Sequence, residues 1–281
     1  MSFLRHAGRI ALDAFWLFLA DDGWAIASHI ALSALMALFP FLIVLTALAG
    51  FIGSKELADE AARILLEAWP AEVAGPIAGE IHRVLTTARG DVLTVGVGLA
   101  LYFSSSGVES LRIGLNRAYD VTEARGWWLL RLESIGYVLV GALALLALAF
   151  LVVLGPLMFA TVARYAHWLQ PFEGVVTFAR LAAASFVLVT ALVLVHLWLP
   201  AGRRRFVDIA PGVIATLALW LAGGLLFARY LDGFSGAYVR TYAGLASVMI
   251  ALVFLYLSAS IFLYGGELNA AIKRGRIANS E

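Results

Sequence analysis

The sequence has no cysteine and few charged residues, since Asp, Glu, Lys and Arg make up 14% of its 281 residues. Without cysteine it can form neither disulfide bonds nor thiolate-ligated metal sites. The net charge of +1 argues against a nucleic-acid-binding surface, because neutralising several phosphates requires a concentrated excess of Lys and Arg. Hydrophobic residues instead make up 62% of the chain, and the mean hydropathy is +0.91. This composition is typical of a membrane protein.

Six segments are candidate membrane-spanning helices. A helix needs ~20 mostly apolar residues to cross a ~30 Å hydrocarbon core, and such segments lie at 24–52, 92–115, 134–159, 179–199, 209–229 and 242–264. The second is unusual, because its continuous apolar part, 92–103, would cover only ~18 Å as a helix. The polar stretch that follows, YFSSSGVESLRIGLNRAY, must complete it. We predict an all-α, polytopic membrane protein with six transmembrane helices in one membrane domain.

The distribution of Lys and Arg predicts the orientation of these spans. With six spans, the two termini and the second and fourth loops share one side of the membrane. That side carries twelve basic residues: Arg5, Arg9, Arg112, Arg117, Arg125, Arg131, Arg203, Arg204, Arg205, Lys273, Arg274 and Arg276. The other eight of the 20 lie opposite. By the positive-inside rule, we expect both the N- and the C-terminus to be cytoplasmic.

Two segments outside the spans are predicted to be amphipathic helices. Residues 1–22 mix Phe and Ile with Arg5, Arg9 and Asp13, which favours an interfacial helix on the cytoplasmic leaflet. In the first periplasmic loop, 55–89, two apolar stripes at helical spacing are interrupted by Trp69-Pro70. We expect a helical hairpin that covers the outer mouth of the bundle, with a merely connecting pair of solvated helices as the alternative.

Polar residues of the second span form a stripe along one face of the predicted helix. The stripe consists of Tyr102, Ser105, Glu109, Arg112, Asn116 and Tyr119. Glu109 and Arg112 are three residues apart and can pair, which limits the cost of placing charges near hydrocarbon. Two interpretations stay open. The stripe is either a functional or gating network, or it combines interfacial charges with small hydroxyl residues that pack against another helix.

The sixth span repeats this pattern near its cytoplasmic end. Tyr256, Ser260 and Glu267 share a face, whereas Asn269 points elsewhere on the same wheel. Glu267 could pair with Arg112 or Arg117 of the second span, or it could be an interfacial carboxylate that balances nearby Lys and Arg. Pro40 and the Gly155-Pro156 pair predict kinks in the first and third spans.

Sequence signatures of enzymes are missing. The five histidines are widely separated, and no paired spacing or nearby acid cluster marks a metal site. The sequence contains neither a Walker-type loop nor a Gly-x-Ser-x-Gly elbow. We therefore expect no enzymatic activity, no metal ion and no cofactor.

Several motifs resemble a known family, the YihY/virulence factor BrkB family of bacterial inner-membrane proteins, some of which were once labelled ribonuclease BN. The matching segments are Ala37-Leu-Phe-Pro-Phe-Leu42, Tyr102–Asp120, Ala210-Pro-Gly212, Tyr256-Leu-Ser258 and Gly266-Glu-Leu-Asn-Ala270. The resemblance implies six helices in the inner membrane and a role in the cell envelope, in which transport of lipids or solutes is suspected. It supplies no catalytic residues.

The leading hypothesis is a transporter-like protein that moves a lipid or other amphiphilic anion through a polar, cytoplasm-facing cavity. Arg112 and Arg117 would bind an anionic headgroup of a membrane lipid or lipid precursor. Glu109 and Glu267 would hold these arginines in the empty state, because an unpaired arginine is costly there. Ser105, Asn116 and Tyr102 complete the candidate site.

Two alternatives remain open. One is a small-ion or proton-coupled solute carrier in which Glu109 or Glu267 titrates. The other is a non-transporting membrane scaffold for envelope integrity, in which the polar stripe is used up in contacts between helices.

Overall fold

The structure, a computed structural model, describes residues 2–52, 90–165, 167–242 and 245–278. Within these ranges every regular element is helical, which confirms the all-α prediction. The helices are α1 (Ser2–Ala20), α2 (Gly23–Ile52), α3 (Gly90–Ala118), α4 (Trp127–Ala149), α5 (Gly155–Tyr165), α6 (Glu173–Trp198), α7 (Phe206–Tyr242) and α8 (Ala246–Ala278). The hairpin predicted at 55–89 lies outside the described residues.

Four segments of the described residues are long and apolar enough to cross a membrane. They are Trp127–Val152, Glu173–Trp198, Phe206–Leu231 and Val248–Arg276, and they overlap the last four predicted spans. The predicted spans 24–52 and 92–115 lie within the continuous helices α2 and α3, of which only Gly23–Leu38 stands out as a shorter apolar stretch. Membrane crossing by these two helices, and hence the count of six, stays a prediction.

The predicted kink at Gly155-Pro156 takes the form of a change in helix type. A π-helix, Phe150–Leu154, joins α4 to α5 directly before this pair. Proline lacks a backbone N–H and its ring crowds the carbonyl four residues earlier, so the regular α-helical hydrogen bonds cannot continue through Pro156. Pro40, in contrast, lies inside an uninterrupted α2.

The helix α8 is central, because it packs against α1, α2, α3 and α7. Its contact with α7 is unusually close. A Cβ atom at Gly212 would overlap the carbonyl oxygen of Gly265 and the side chain of Asn269, and one at Gly265 would overlap Thr216. Small residues at a crossing point allow two backbones to approach in this way.

One end of the bundle contains the connections 119–126 and 199–205. The helices α2, α4 and α7 begin at this end, and the helices α3, α6 and α8 end there. We call it the loop end. Much of the apolar core lies near it, including Phe18, Leu115, Leu199, Ile209 and Leu263. Many apolar side chains of α4 and α6 are exposed, as expected of helices that face lipid. The loop end therefore holds the best-packed part of the described bundle.

Candidate functional site

Arg112 lies at the centre of a charged cluster at the loop end. Its side chain is only 3% exposed. The guanidinium donates to Oε1 of Glu109 at 3.2 Å, and on α4 to the carbonyl oxygen of Leu130 at 3.2 Å and to Oγ of Ser134 at 3.3 Å. Its Nε lies 3.9 Å from Oε2 of Glu123. The predicted contact between Glu109 and Arg112 is therefore present, and it is extended by groups from α4 and the following loop.

A second arginine reaches Glu109 from α4. Arg131 donates to Oε2 of Glu109 at 3.1 Å, so this carboxylate bridges two guanidinium groups. The guanidinium carbon of Arg131 lies 5.0 Å from the ring centroid of Tyr102, a distance suited to a cation–π contact. Tyr102 is 58% exposed. This part of the cluster therefore lies at the edge of the bundle, whereas Arg112 lies inside.

The third arginine anchors the loop between α3 and α4. Arg125 holds both carboxylate oxygens of Glu123 at 2.8 Å and donates to Glu133 at 2.7 Å and to the carbonyl oxygen of Leu199 at 3.1 Å. The hydrogen bonds from Arg125 lower the pKa of Glu123 to about 2, and those to Glu123 raise the pKa of Arg125. Three cations thus balance three carboxylates. We call this set the arginine network: Arg112, Arg125, Arg131, Glu109, Glu123 and Glu133.

Asn116 and Ser105, both predicted site residues, have structural contacts beside this network. Oδ1 of Asn116 accepts a hydrogen bond from the backbone N–H of Ala201 at 2.7 Å, and its amide donates to Glu123 at 3.2 Å. Asn116 therefore ties the end of α3 to both short loops. The buried Ser105 donates to the carbonyl oxygen of Tyr102 at 3.0 Å within its own helix.

Arg117 and Glu267 are found away from the network. Arg117 donates to the carbonyl oxygen of Asp21 at 3.1 Å and to Oδ2 of Asp22 at 2.9 Å. Glu267 is buried, and its Oε2 has no hydrogen-bond partner among the described residues. The expected pairing of Glu267 with Arg112 or Arg117 is not among the ion pairs of the described residues, in which Arg112 pairs with Glu109 and Arg117 with Asp22.

The helical wheel predicts that Asn269 points away from the face of Glu267, and in the structure Asn269 forms a polar contact between α8 and α7. Its Oδ1 accepts from the backbone N–H of Gly212 at 2.6 Å, and its amide donates to the hydroxyl of Tyr119 at 3.1 Å. Arg204 lies over the Tyr119 ring, 4.1 Å from its centroid. Burial raises the pKa of Tyr119 to about 12. The glycines at 212 and 265 were the signal in the sequence for this close crossing.

Sequence reasoning also missed the α4 half of the network. The third span was predicted to begin at 134, which left Arg131 and Glu133 in a loop. The structure begins α4 at Trp127 and includes both charges in an apolar helix. Charges inside an apolar helix need partners, and this requirement was the signal that could have linked Arg131 to Glu109.

The described cavity lies apart from the network. Its volume is about 180 Å³, and its lining from α1, α2, α7 and α8 includes Phe18, Trp24, Ser260 and Tyr264. The surface that lines this cavity is apolar, and none of its lining residues belongs to the arginine network. The polar cavity expected around the second span stays a prediction.

The two histidines in the predicted spans have contacts of different kinds. His29 Nδ1 lies 2.6 Å from Oγ of Ser110 on α3, and His196 Nδ1 lies 2.9 Å from the carbonyl oxygen of Leu192. Within the part of the chain that the structure describes, no group of three or more His, Asp or Glu side chains could hold a metal ion.

Comparison with known proteins identifies relatives along nearly the whole chain. The profile of a family described as virulence factor BrkB matches residues 14–281. The ribonuclease-like protein YfkH of Bacillus subtilis is 24% identical over 274 residues, which cover 98% of this chain and 96% of that protein.

Two longer relatives are named as membrane proteins. A UPF0761 membrane protein of Rhodospirillum centenum is 26% identical over 95% of this chain and 57% of its own length. One from Chromohalobacter salexigens is 28% identical over 93% of this chain and 62% of its own length. The chain thus spans about three fifths of these two relatives. No solved structure matches it.

Proposed function

Because the chain belongs to the virulence factor BrkB family and is a membrane protein with several apolar helices, we propose that it carries a lipid or other amphiphilic anion across the bacterial inner membrane. The arginine network supports this proposal best. Ionised side chains inside membrane helices are costly, and they commonly mark the path of a substrate or ion. No catalytic step, metal ion or cofactor is part of the proposal.

Arg131 is the arginine of the network that lies beside an exposed apolar surface. It lies beside the exposed ring of Tyr102, and the neighbouring Trp128 and Leu132 are also exposed apolar side chains. A phosphate or carboxylate headgroup fits a guanidinium group, which donates two parallel hydrogen bonds. The adjoining aromatic and aliphatic surface fits acyl chains. This edge of α3 and α4 therefore offers a cation for the headgroup and an apolar surface for the acyl chains of an amphiphilic anion.

Glu109 forms a gate that opens when an anionic headgroup replaces it on Arg131. In the structure it holds Arg131 through one oxygen and Arg112 through the other. An incoming anionic headgroup would take its place on Arg131, while Glu109 would remain on Arg112. Neither arginine would be left unpaired in either state, which avoids the large cost of an uncompensated buried charge. Arg131 thus takes the role that the sequence had given to Arg117.

Flux measurements with purified protein test the proposal. The protein would be reconstituted in vesicles, and translocation of fluorescent anionic and zwitterionic phospholipids would be compared. For Arg131→Gln we expect a rate for the anionic lipid at least about tenfold lower, because a charge-assisted hydrogen bond of ~1.5–3 kcal/mol is lost. Arg203→Gln, at an exposed arginine outside the network, is the matched control. Equal rates in all samples, matching protein-free vesicles, would refute the proposal.

A scaffold without transport is a second candidate, and one observation favours it. The guanidinium group of Arg112 donates to Glu109 of α3 and to Leu130 and Ser134 of α4. These hydrogen bonds all join parts of the protein to one another. If the network only joins helices, Arg131→Gln will lower the melting temperature while no variant changes lipid flux. A small-ion or proton-coupled solute carrier is the third candidate, and it would instead show flux that depends on a pH gradient without lipid cargo.

A further inference from the structure

Arg180 is a charged residue of α6 whose guanidinium group lacks a partner among the described residues. Its helix is one of the four segments that are long and apolar enough to cross a membrane. Nη1 of Arg180 is buried and has no hydrogen-bond partner in the described part of the chain. None of the ion pairs found there includes this side chain. A charge within an apolar helix needs a counter-charge, so the position of Arg180 requires an anion.

The stem of Arg180 passes close to the junction between the π-helix and α5. A Cβ atom at Gly155 would lie 2.8 Å from Cδ of Arg180 and 3.3 Å from the carbonyl oxygen of Phe150. A larger residue at 155 would therefore push the arginine stem aside. An arginine that only snorkels towards water keeps its charged head in solvent, whereas Nη1 is covered here by the protein. The position of this side chain is thus set by its packing.

The place of Arg180 along α6 brings it near one membrane boundary. The helix has 26 residues and is therefore ~39 Å long, compared with a hydrocarbon core of ~30 Å. Arg180 lies ~10 Å along the axis from Glu173, the first residue of α6. The phosphate groups of lipids at this boundary are within reach of a long side chain. Because α6 ends at the loop end, this site is separate from the arginine network.

Large exposed apolar side chains flank this arginine. Phe178 and Leu181 are its neighbours in α6, and Phe150 lies in the π-helix before Gly155. A guanidinium group donates two parallel hydrogen bonds to a phosphate, and exposed apolar side chains fit acyl chains. A lipid with a net negative charge balances the arginine, whereas the phosphate of a zwitterionic lipid is already balanced by its own cation.

We propose that Arg180, held beside Gly155, binds the phosphate group of an anionic phospholipid at the end of the bundle opposite the loop end. The phosphate oxygens accept hydrogen bonds from the guanidinium group, and the acyl chains lie along the exposed side chains of α6. The proposal concerns lipid binding and not lipid movement. It therefore does not rest on the proposed transport, and the two can fail separately.

Fluorescence quenching by spin-labelled lipids tests this site. The chain has no cysteine, so Val176→Cys, at an exposed residue one turn before Arg180, carries a unique fluorescent label. The labelled full-length protein would be placed in phosphatidylcholine nanodiscs that contain a small fraction of spin-labelled lipid. This lipid is either phosphatidylglycerol or phosphatidylcholine, with the same nitroxide on one acyl chain. We expect phosphatidylglycerol to quench more strongly at an equal fraction, because it is enriched at the arginine.

Replacing the arginine should remove this preference. In Arg180→Gln we expect the affinity for phosphatidylglycerol relative to phosphatidylcholine to fall by about tenfold, because charge-assisted hydrogen bonds are lost. Arg203→Gln, at an exposed arginine of the loop end, should leave the preference unchanged. Inorganic phosphate added to the buffer should not reverse the quenching. Reversal would show a site for free phosphate and would overturn the assignment to lipid.

Gly155→Ala tests the geometry without removing the charge. The added methyl group displaces the stem of Arg180, so we expect the preference for phosphatidylglycerol to weaken severalfold. Gly141→Ala in α4, where a Cβ atom would meet nothing within 4 Å, is the control and should retain it. The proposal is overturned if the wild type shows no preference for phosphatidylglycerol or if Arg180→Gln retains it. Should Arg180→Gln fail to fold, an unchanged preference in Gly155→Ala overturns the proposal instead.

Discussion

Arg125 shows how a single residue can hold the loop end together. It reaches Glu123 in its own loop, Glu133 on α4 and the carbonyl oxygen of Leu199 at the end of α6. Three separate parts of the chain therefore depend on one guanidinium group. Lysine could not replace it, because a single ammonium group lacks the planar set of donors that these acceptors require.

The low pKa of Glu123 predicts how the folded state responds to acid. A carboxyl whose pKa falls from 4.5 to about 2 on folding stabilises the folded state at pH values above its ordinary pKa. That contribution is lost as the pH falls from about 4.5 towards 2, because the folded protein must then take up the proton. In Arg125→Ala the main cause of the shift is removed. We expect this variant to be less stable at neutral pH and to lose less further stability on acidification.

Urea or thermal unfolding at several pH values checks this expectation. Arg205→Ala, at an exposed arginine of the neighbouring loop, is a suitable control and should follow the wild type. If Arg125→Ala keeps the acid dependence of the wild type, then the hydrogen bonds between Arg125 and Glu123 do not lower the pKa of Glu123 in solution.

Among the helices, the α7–α8 crossing is the contact with least tolerance for added volume. In Gly212→Ala, the new methyl group would overlap the backbone of Gly265 and the side chain of Asn269. It would therefore disturb the hydrogen bond from the Gly212 N–H to Asn269 as well. We expect a loss of about 1–3 kcal/mol in unfolding free energy, the usual cost of overpacking.

A second glycine of α7 provides the matched control for this test. A Cβ atom at Gly224 would meet nothing within 4 Å, so Gly224→Ala should be neutral or slightly stabilising, since alanine has the higher helix propensity. Both variants would be compared by thermal unfolding in the same lipid or detergent. Equal melting temperatures would show that the helices do not meet closely at Gly212.

The helices themselves were largely predictable, and their partners were not. Apolar runs near 20 residues located the last four spans, and the spacing of Glu109 and Arg112 on one helix predicted their contact. Hydropathy could not place the start of α4 at Trp127, because Arg131 and Glu133 look like loop residues until Glu109 of another helix is seen to accept from Arg131. A helical wheel likewise cannot show that α7 lies against the face of Asn269.

Over the whole molecule, the position of the arginine network relative to the membrane depends on whether α2 and α3 cross it. If they do, the loop end lies at the cytoplasmic boundary and both termini are cytoplasmic, as the distribution of Lys and Arg predicts. If they do not, the span Glu173–Trp198 still crosses the membrane. Arg203, which follows this span, then lies on the side opposite Glu173. The first loop, from 53 to 89, is then the segment that distinguishes four spans from six.

The absence of cysteine makes this question directly testable, because every introduced cysteine is a unique label. With a membrane-impermeant maleimide added from the periplasmic side, we expect Glu173→Cys to react and Arg203→Cys to react only after permeabilisation. Lys55→Cys, in the first loop and outside the described residues, should react like Glu173→Cys if α2 and α3 cross the membrane. Reaction of Lys55→Cys only after permeabilisation would contradict six spans. It would also show that Glu109 and Arg112 are not inside a transmembrane helix, which removes the physical basis for a gate at these residues.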